Sequence, residues 1–417
     1  MYNMEYKILA GEDREVYKAL ESEIKRQQEG LELIASENYV FPAVQEALGS
    51  VFTNKYSEGT PGKRYYAGNE FVDVVENLAV ARAKKLFDAE HVNVQPLSGS
   101  PANAAVYFAF LKPGDKVLGL KLDHGGHLSH GHPVNFSGIL FNFVQYMVDK
   151  ETGRINMDEV REIALRERPK MILAGFSAYS REMEWQKFKE IADEVGAISF
   201  ADIAHIAGLI AGRAIANPVP IFDVVSTTTH KTLRGPRGAI IMCKEKFAKQ
   251  IDRAVFPGLQ GGPHDNVTAA KAVAFAEALK PEFADYAKQV ILNAQAMADE
   301  LIKLGYKIIS GGTDNHLMVV DLTAQGIVGK IAETVLDKAG ISTSRSTIPF
   351  DPNPPYNPSG LRLGTPAMTT RGLKEPETRR VARWIVEAIA AKDDEAKLAA
   401  IKGQVKELCL KFPIPSV

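Results

Sequence analysis

Cysteine is nearly missing: Cys243 and Cys409 are the only two among 417 residues. Two such residues build neither a disulfide framework nor a cysteine zinc site, so a reduced, cytoplasmic setting is the expectation. An excess of one charge is missing too. The 50 basic residues stand against 51 acidic ones, a formal net charge of -1, and this balance excludes a general affinity for nucleic acid or membrane surfaces. No uninterrupted apolar run reaches the ~18 residues of a membrane span, and Met1 to Gly11 carries no apolar stretch of the kind a secretory signal needs. Internal repeats and low-complexity tracts are lacking. What is present is an ordinary globular composition, 45% hydrophobic, in a chain long enough for about two or three domains.

From Ile139 to Cys243 strand and helix patterns alternate. Strands are expected over Ile139 to Val148, Met171 to Phe176, Ala197 to Ile203, Val224 to Thr229 and Ala239 to Cys243. Helices over Asp158 to Leu165 and Trp185 to Val195 lie between them. Such alternation predicts an α/β domain with a mostly parallel sheet, whose ligands sit at the carboxyl ends of the strands. Upstream, helices are expected from Asp13 to Glu29, from Pro42, and from Phe71 to Phe87, with strands at Val92 to Gln95 and Val117 to Leu120. Downstream, helices dominate from about Val267 to Leu304. An α+β remainder follows, with strands near Lys307 to Ser310 and Leu317 to Leu322 and helices over Val328 to Lys338, Glu375 to Ala391 and Glu395 to Lys411. The expected division is an N-terminal helical arm at 1–30 suited to a subunit contact, a large domain at 31–290 and a small α+β domain at 291–417.

Lys231 follows the β-branched run Val224 to Thr229 and so sits at a strand end. His230, Arg234 and Arg237 are its cationic neighbours in sequence, expected to lower its pKa toward the free amine that forms a Schiff base. Asp202 ends the preceding strand, with His205 close behind. Ser98-Gly99-Ser100 joins a strand to a helix, with Ser100 as the expected cap and Pro101 in the first helical position, an arrangement suited to phosphate. Four of the nine histidines fall in Asp123 to His132. Three glycines there favour an imidazole lying flat on an aromatic ligand over a metal site, since no cysteine or helical His-Glu spacing accompanies them. The loop from Asn54 to Gly68 is dense in Gly, Pro, Tyr and charge, and Phe256 to Pro263 is a second glycine-rich loop. The proline-rich stretch Ile348 to Pro358 predicts an ordered loop or lid. Arg362 beyond it suits a carboxylate. A Schiff-base lysine, a phosphate cradle, an acid at a strand end and a distant arginine are the parts that pyridoxal phosphate chemistry on amino acids requires.

The segments Leu33 to Tyr39, Pro61 to Tyr66, Gly125 to Leu128, Asp202 to Leu209, Thr227 to Gly238 and Ser310 to His316 together resemble serine hydroxymethyltransferases, nearly end to end. The resemblance implies a fold-type I, aspartate aminotransferase-like architecture with a seven-stranded-type sheet. It also implies transfer of the serine hydroxymethyl group to tetrahydrofolate and a homodimer, or tetramer, with shared sites. By the same resemblance Lys231 forms the Schiff base with pyridoxal 5'-phosphate, Asp202 pairs the ring nitrogen and His127 stacks on the ring. Ser98, Gly99 and Ser100 hold phosphate with Tyr56, and with Gly262 from the other subunit. Arg362 holds the substrate carboxylate beside Ser36 and Tyr66, Glu58 handles the proton of the serine hydroxyl, and His205, Thr228 and His230 tune ring and lysine. Leu122, Gly126, Leu128 and Tyr65 border the folate.

Some positions depart from the family pattern. Leu97 and Pro101 stand where histidine and glutamine are frequent. Thr60, Ser346 and the Pro354-Pro355-Tyr356 segment differ on the folate side, which predicts altered folate contact with the amino-acid side intact. Two other readings are a folate-independent aldolase of β-hydroxy amino acids and an inactive binding protein; the intact Lys231, Asp202 and Arg362 argue against the second.

Overall fold

The structure, a computed structural model, describes residues 6–415; residues 1–5 of the expected arm and 416–417 of the expected C-terminal domain lie outside it. Its larger sheet has seven strands: β1 (His91–Asn93), β2 (Lys116–Leu120), β3 (Asn142–Tyr146), β4 (Met171–Gly175), β5 (Ile198–Asp202), β6 (Val224–Thr228) and β7 (Ala239–Cys243). They lie side by side in the order β1, β7, β6, β5, β4, β2, β3. Neighbours from β6 to β3 are parallel, whereas β7 runs antiparallel to both β6 and β1. The carboxyl ends of β1, β2, β4, β5 and β6 and the start of β7 therefore share one edge.

Every residue of β4, β6 and β7 is buried, as a parallel sheet covered on both faces requires. Alternate residues feed two cores. Leu118, Ala174, Ala201 and Val225 face one, with the helices Glu70–Phe87, Met157–Glu167 and Trp185–Val195 packed on it. Val117, Leu173, Phe200 and Val224 face the other, under helix Gly99–Phe110.

A further core surrounds an antiparallel sheet of β8 (Lys307–Ile308), β9 (Leu317–Asp321), β10 (Ser344–Ser346) and β11 (Gly360–Gly364), ordered β8, β9, β11, β10. Helices Gly329–Lys338, Glu375–Ala390 and Glu395–Lys411 pack on it. Helix Pro281–Lys303 crosses residue 290 without a break. Its Ala287 and Val290 belong to the first core, and its Ala294, Met297 and Leu301 to the C-terminal one. Leu31 and Leu33 also lie in the C-terminal core, and Leu31–Glu32 pairs in parallel with Ile341–Ser342. The chain thus visits the smaller unit before it builds the larger one. Helix Arg14–Glu29 is capped by Asp13, and Arg371 clamps its far end by donating to the carbonyls of Gln27, Gln28 and Gly30.

Several expected elements shift. The strand expected over Ile139 to Val148 is instead a short helix, Phe136–Leu140, followed by β3. Asn135 caps that helix by accepting from the Ser137 amide, which overrides the β-branched character of the segment. Helix Gly99–Phe110 begins at Ser98 rather than Ser100, so Pro101 stands in its first turn. The loop from Asn54 to Gly68 contains a small hairpin, Gly59–Thr60 against Lys63–Arg64, held by the ion pairs of Arg64 with Asp73 and Glu76. The strand near Lys307 stops at Ile308, where Ser310 takes a left-handed backbone. No helix among the described residues is long and apolar enough to cross a membrane.

Candidate active site

The shared strand edge of the large sheet opens into a cleft of about 190 Å³. Its lining includes Ser98, Gly99, Ser100, Asn103, His127, Asp202, His205, Thr228, His230, Lys231 and Arg237. Each arrives from the element just described: Ser98 to Ser100 from the start of helix Gly99–Phe110, Asp202 from the end of β5, Thr228 from the end of β6. Chain reversal between β6 and β7 brings Lys231 and Arg237 back to the same edge.

Lys231 donates to Thr228 Oγ1 at 3.2 Å. Burial, more than any neighbour, lowers its pKa to about 8; Arg362 and Arg237 add to that effect and Asp202 opposes it. The expected role of Arg234 is corrected. Its guanidinium turns away, donates to the Tyr39 carbonyl and lies over the rings of Phe41 and Tyr286.

Burial by itself would raise Asp202. Hydrogen bonds from His130 Nε2 at 3.0 Å and Asn103 Nδ2 at 2.8 Å hold it well below the usual carboxylate range. Asn103 also donates to Ser129 Oγ and accepts from Ser226 Oγ, and Ser129 in turn bonds His127 Nδ1 at 2.8 Å. These contacts fix the imidazole of His127 relative to Asp202. Desolvation lowers His127 to about 4 and His230 to about 3, and pushes His205 well below its ordinary value, so these three cleft histidines are neutral at pH 7. His205 Nδ1 lies 3.1 Å from Nε2 of His316, the residue before β9 of the smaller sheet.

Asn103, Ser129, His130, Ser226 and His316 were given no role from sequence. Asn103 carried a signal, because it is a lone amide in an alanine-rich helix one turn beyond Ser98-Gly99-Ser100. His316 carried none, since only the packing of two units brings it to His205.

Arg362, in the middle of β11 rather than at its opening, donates to the carbonyl of Ser177, a residue that lines the cleft, and to Ser344 Oγ. Desolvation holds its pKa near 10, so it remains charged, and no acidic side chain among the described residues forms an ion pair with it. Its charge is met by a carbonyl and a hydroxyl but by no acid among the described residues.

A family model described as serine hydroxymethyltransferase matches residues 9–385. The chain belongs to that family. A curated relative from Acidobacterium capsulatum, named Serine hydroxymethyltransferase, is 56% identical over 406 residues, covering 97% of this chain and 95% of the relative. Serine hydroxymethyltransferases depend on pyridoxal phosphate and take tetrahydrofolate as co-substrate, and this cleft fits the cofactor. A helix start whose Ser98 cap makes no side-chain hydrogen bond suits the phosphate, an ionised carboxylate suits a protonated ring nitrogen, and a lysine near pKa 8 suits the aldehyde. The fit is close at Gly99, where a Cβ would stand 2.8 Å from Thr228 Cγ2.

The other residues matched to serine hydroxymethyltransferases form two groups away from the cleft walls. Tyr56, Glu58, Tyr66 and Gly262 cluster on an exposed face, with Gly261 beside them. Tyr56 donates to Glu58 Oε1 at 3.4 Å and meets Tyr66 edge to face, while Gly261 and Gly262 back onto Glu58 and Tyr56. Tyr65, 73% exposed, packs on Phe256 nearby. Among the described residues, none from this face lines the cleft.

The second group borders the far rim. Leu122 and Gly126 belong to the turn after β2, whose Gly125 carbonyl accepts from Ser177 and Ala178, and Leu128 is half exposed. Across from them, Asp351 organises the proline-rich loop by accepting from the amides of Ile348, Asn353 and Ser359. Phe350 from this loop meets His124 edge to face at 4.7 Å. Pro354, Pro355 and Tyr356 are exposed on it, and Ser346 ends β10. Ser36 lies half-buried in the segment from Ala35 to Asn38, whose Asn38 donates to the Lys231 carbonyl.

Proposed function

We propose that the reversible transfer of the serine hydroxymethyl group to tetrahydrofolate, giving glycine and 5,10-methylenetetrahydrofolate, runs in this cleft with the residues named above. The partly buried, acid-free guanidinium of Arg362 carries the reading, because it supplies the one anchor that an amino-acid carboxylate needs. Lys231, its pKa lowered by burial to about 8, gives up its proton far more readily than an exposed lysine and offers the amine that holds the cofactor and takes or returns a proton. When bound, the cofactor supplies an electron-withdrawing ring that stabilises negative charge at the amino-acid α-carbon. Asp202, kept ionised by His130 and Asn103, holds a proton at the ring nitrogen. Neutral His127 would lie against the ring, and neutral His205 would tune it. Ser98, Gly99 and Ser100 hold the phosphate.

Glu58, Tyr56, Tyr65, Tyr66 and Gly262 act on the cleft of a second copy of the chain. Support comes from their exposure together with the stripe Phe71, Val74 and Leu78, which are 71%, 54% and 41% exposed on the helix next to them. The working form is therefore a homodimer, in which Glu58 serves the serine hydroxyl. Tetrahydrofolate binds at the rim between Leu122, Gly126 and Leu128 and the loop of Pro354, Pro355 and Tyr356, with Ser346 beside it. The large and small domains meet near residue 290, where helix Pro281–Lys303 passes from one core to the other. Two buried free thiols, Cys243 and Cys409, suit a cytoplasmic setting.

Glycine titration with and without tetrahydrofolate, followed in the visible spectrum, tests this reading. A long-wavelength band that grows with folate is the expected outcome. A glycine response that folate leaves unchanged would favour a folate-independent aldolase.

A further inference from the structure

Lys271 is a second buried lysine, 2% exposed, in helix Asp265–Ala278. None of its three hydrogen bonds goes to an acid. Nζ donates to the carbonyls of Val94 at 2.6 Å, Ala239 at 2.9 Å and Pro96 at 3.1 Å. An ammonium has three hydrogens, so all three are satisfied by main-chain oxygen. Gly238 makes room for the stem, since a Cβ there would stand 2.6 Å from Lys271 Cε.

The three carbonyls flank the cleft. Val94 and Pro96 follow β1 and lead directly to Ser98, and Ala239 opens β7 two residues after Arg237. The Ala239 amide also donates to the Pro96 carbonyl, which ties the two segments into one unit at the lysine. Gln260 holds the intervening residues, accepting from the Leu97 amide and donating to the Gln95 carbonyl.

Burying an ammonium costs far more than burying a methionine of similar length, and packing alone does not explain it. We propose that Lys271 is a positioning residue, a built-in cation that fixes the lead into Ser98-Gly99-Ser100 and the start of β7, and so sets the cradle for the cofactor phosphate. The proposal rests on the cleft being the pyridoxal phosphate site. Burial lowers the lysine to about 7, opposed by Glu76, so the three carbonyl acceptors and not an acid are what favour its charged form.

The test compares cofactor-free parent and Lys271→Met for binding of pyridoxal 5'-phosphate and of pyridoxal, which lacks the phosphate. Absorbance of the bound forms reports binding, and thermal melts report folding. The expected result is a loss of 10-fold or more in pyridoxal phosphate affinity, unchanged pyridoxal affinity, and recovery of phosphate-dependent binding when methylammonium is added to Lys271→Ala. Equal loss for both ligands, or no loss in a folded variant, overturns the proposal. Failure of the parent to bind pyridoxal phosphate would instead overturn the reading of the cleft. Should Lys271→Met not fold, Lys271→Arg decides: it keeps the charge but replaces three tetrahedral hydrogens with a planar fork, so a folded arginine variant with parental phosphate selectivity refutes the role, and one with reduced selectivity supports it.

Discussion

Nη1 of Arg362 donates to the carbonyl oxygen of Ser177 at 2.8 Å. Ser177 follows β4 of the large sheet, while Arg362 belongs to β11 of the small one, so a cation from one core is handed to the mouth of a cleft built by the other. Replacing Arg362 with Ala removes a charge-assisted anchor worth about 2–4 kcal/mol, equivalent to a rise of roughly 30- to 1000-fold in KM for serine. Arg362→Lys should fall between, because a point charge does not fork onto a carboxylate. Steady-state kinetics would show this, and an unchanged KM in Arg362→Ala would refute the assignment.

Lys231 titrates near 8 in the folded chain against an ordinary 10.5. Between those values the unfolded chain binds more protons, so stability rises with pH across that window. Below pH 8 the buried charge costs on the order of 3 kcal/mol. Cofactor-free Lys231→Met should therefore exceed the parent in stability at pH 7, and the gap should close by pH 10.5. Urea midpoints at three pH values decide the matter; a gap independent of pH contradicts it.

The buried histidines act with the same sign at lower pH. His127 lies near 4, and His230 and His316 near 3, against 6.5 when exposed. The unfolded state takes up these protons first as pH falls from 6.5 toward 4. Stability is thus complete above 6.5 and declines below it by up to about 1.4 kcal/mol per pH unit for each histidine. Denaturation of the cofactor-free protein from pH 7 to 4.5 measures the slope, and a flat profile would count against buried neutral imidazoles.

Hybrid dimers test the sharing of sites. Glu58→Gln and Lys231→Ala should each be nearly inactive alone, with kcat reduced about 100-fold or more. Mixed subunits combine one intact cleft with one intact exposed face, so activity should return on refolding together. If mixtures stay as inactive as the parents, each chain uses its own Glu58.

Ser346 directs its hydroxyl to the Thr347 carbonyl at 3.1 Å, which leaves that donor engaged locally. A longer amide at this place would reach further across the rim. Ser346→Asn should tighten tetrahydrofolate binding by about 2- to 10-fold, the worth of one hydrogen bond, with serine KM unchanged. Fluorescence titration with tetrahydrofolate gives the answer, and looser or equal binding would remove Ser346 from the folate site.

The sequence by itself determined the elements and the chemistry carried by short range. The β-branched run ending at Thr228 and the acid ending β5 placed Lys231 and Asp202 at strand ends, because period and turn residues act locally. Local chemistry also misled: the Asn135 cap turns the start of the expected strand at Ile139 into a helix, and the cradle helix follows Ser98 rather than Ser100. The tertiary structure alone decided what depends on burial and on distant segments. Burial, not His230 or Arg234, lowers Lys231, and Arg234 leaves the cleft for two aromatic rings. Asn103 and His130 ionise Asp202 through contacts 99 and 72 residues away in sequence. Leu31 joins the C-terminal core, His316 reaches His205, and the Tyr56 face stays outside its own cleft. Desolvation and long-range pairing are properties of the packed chain, and no window of sequence contains them.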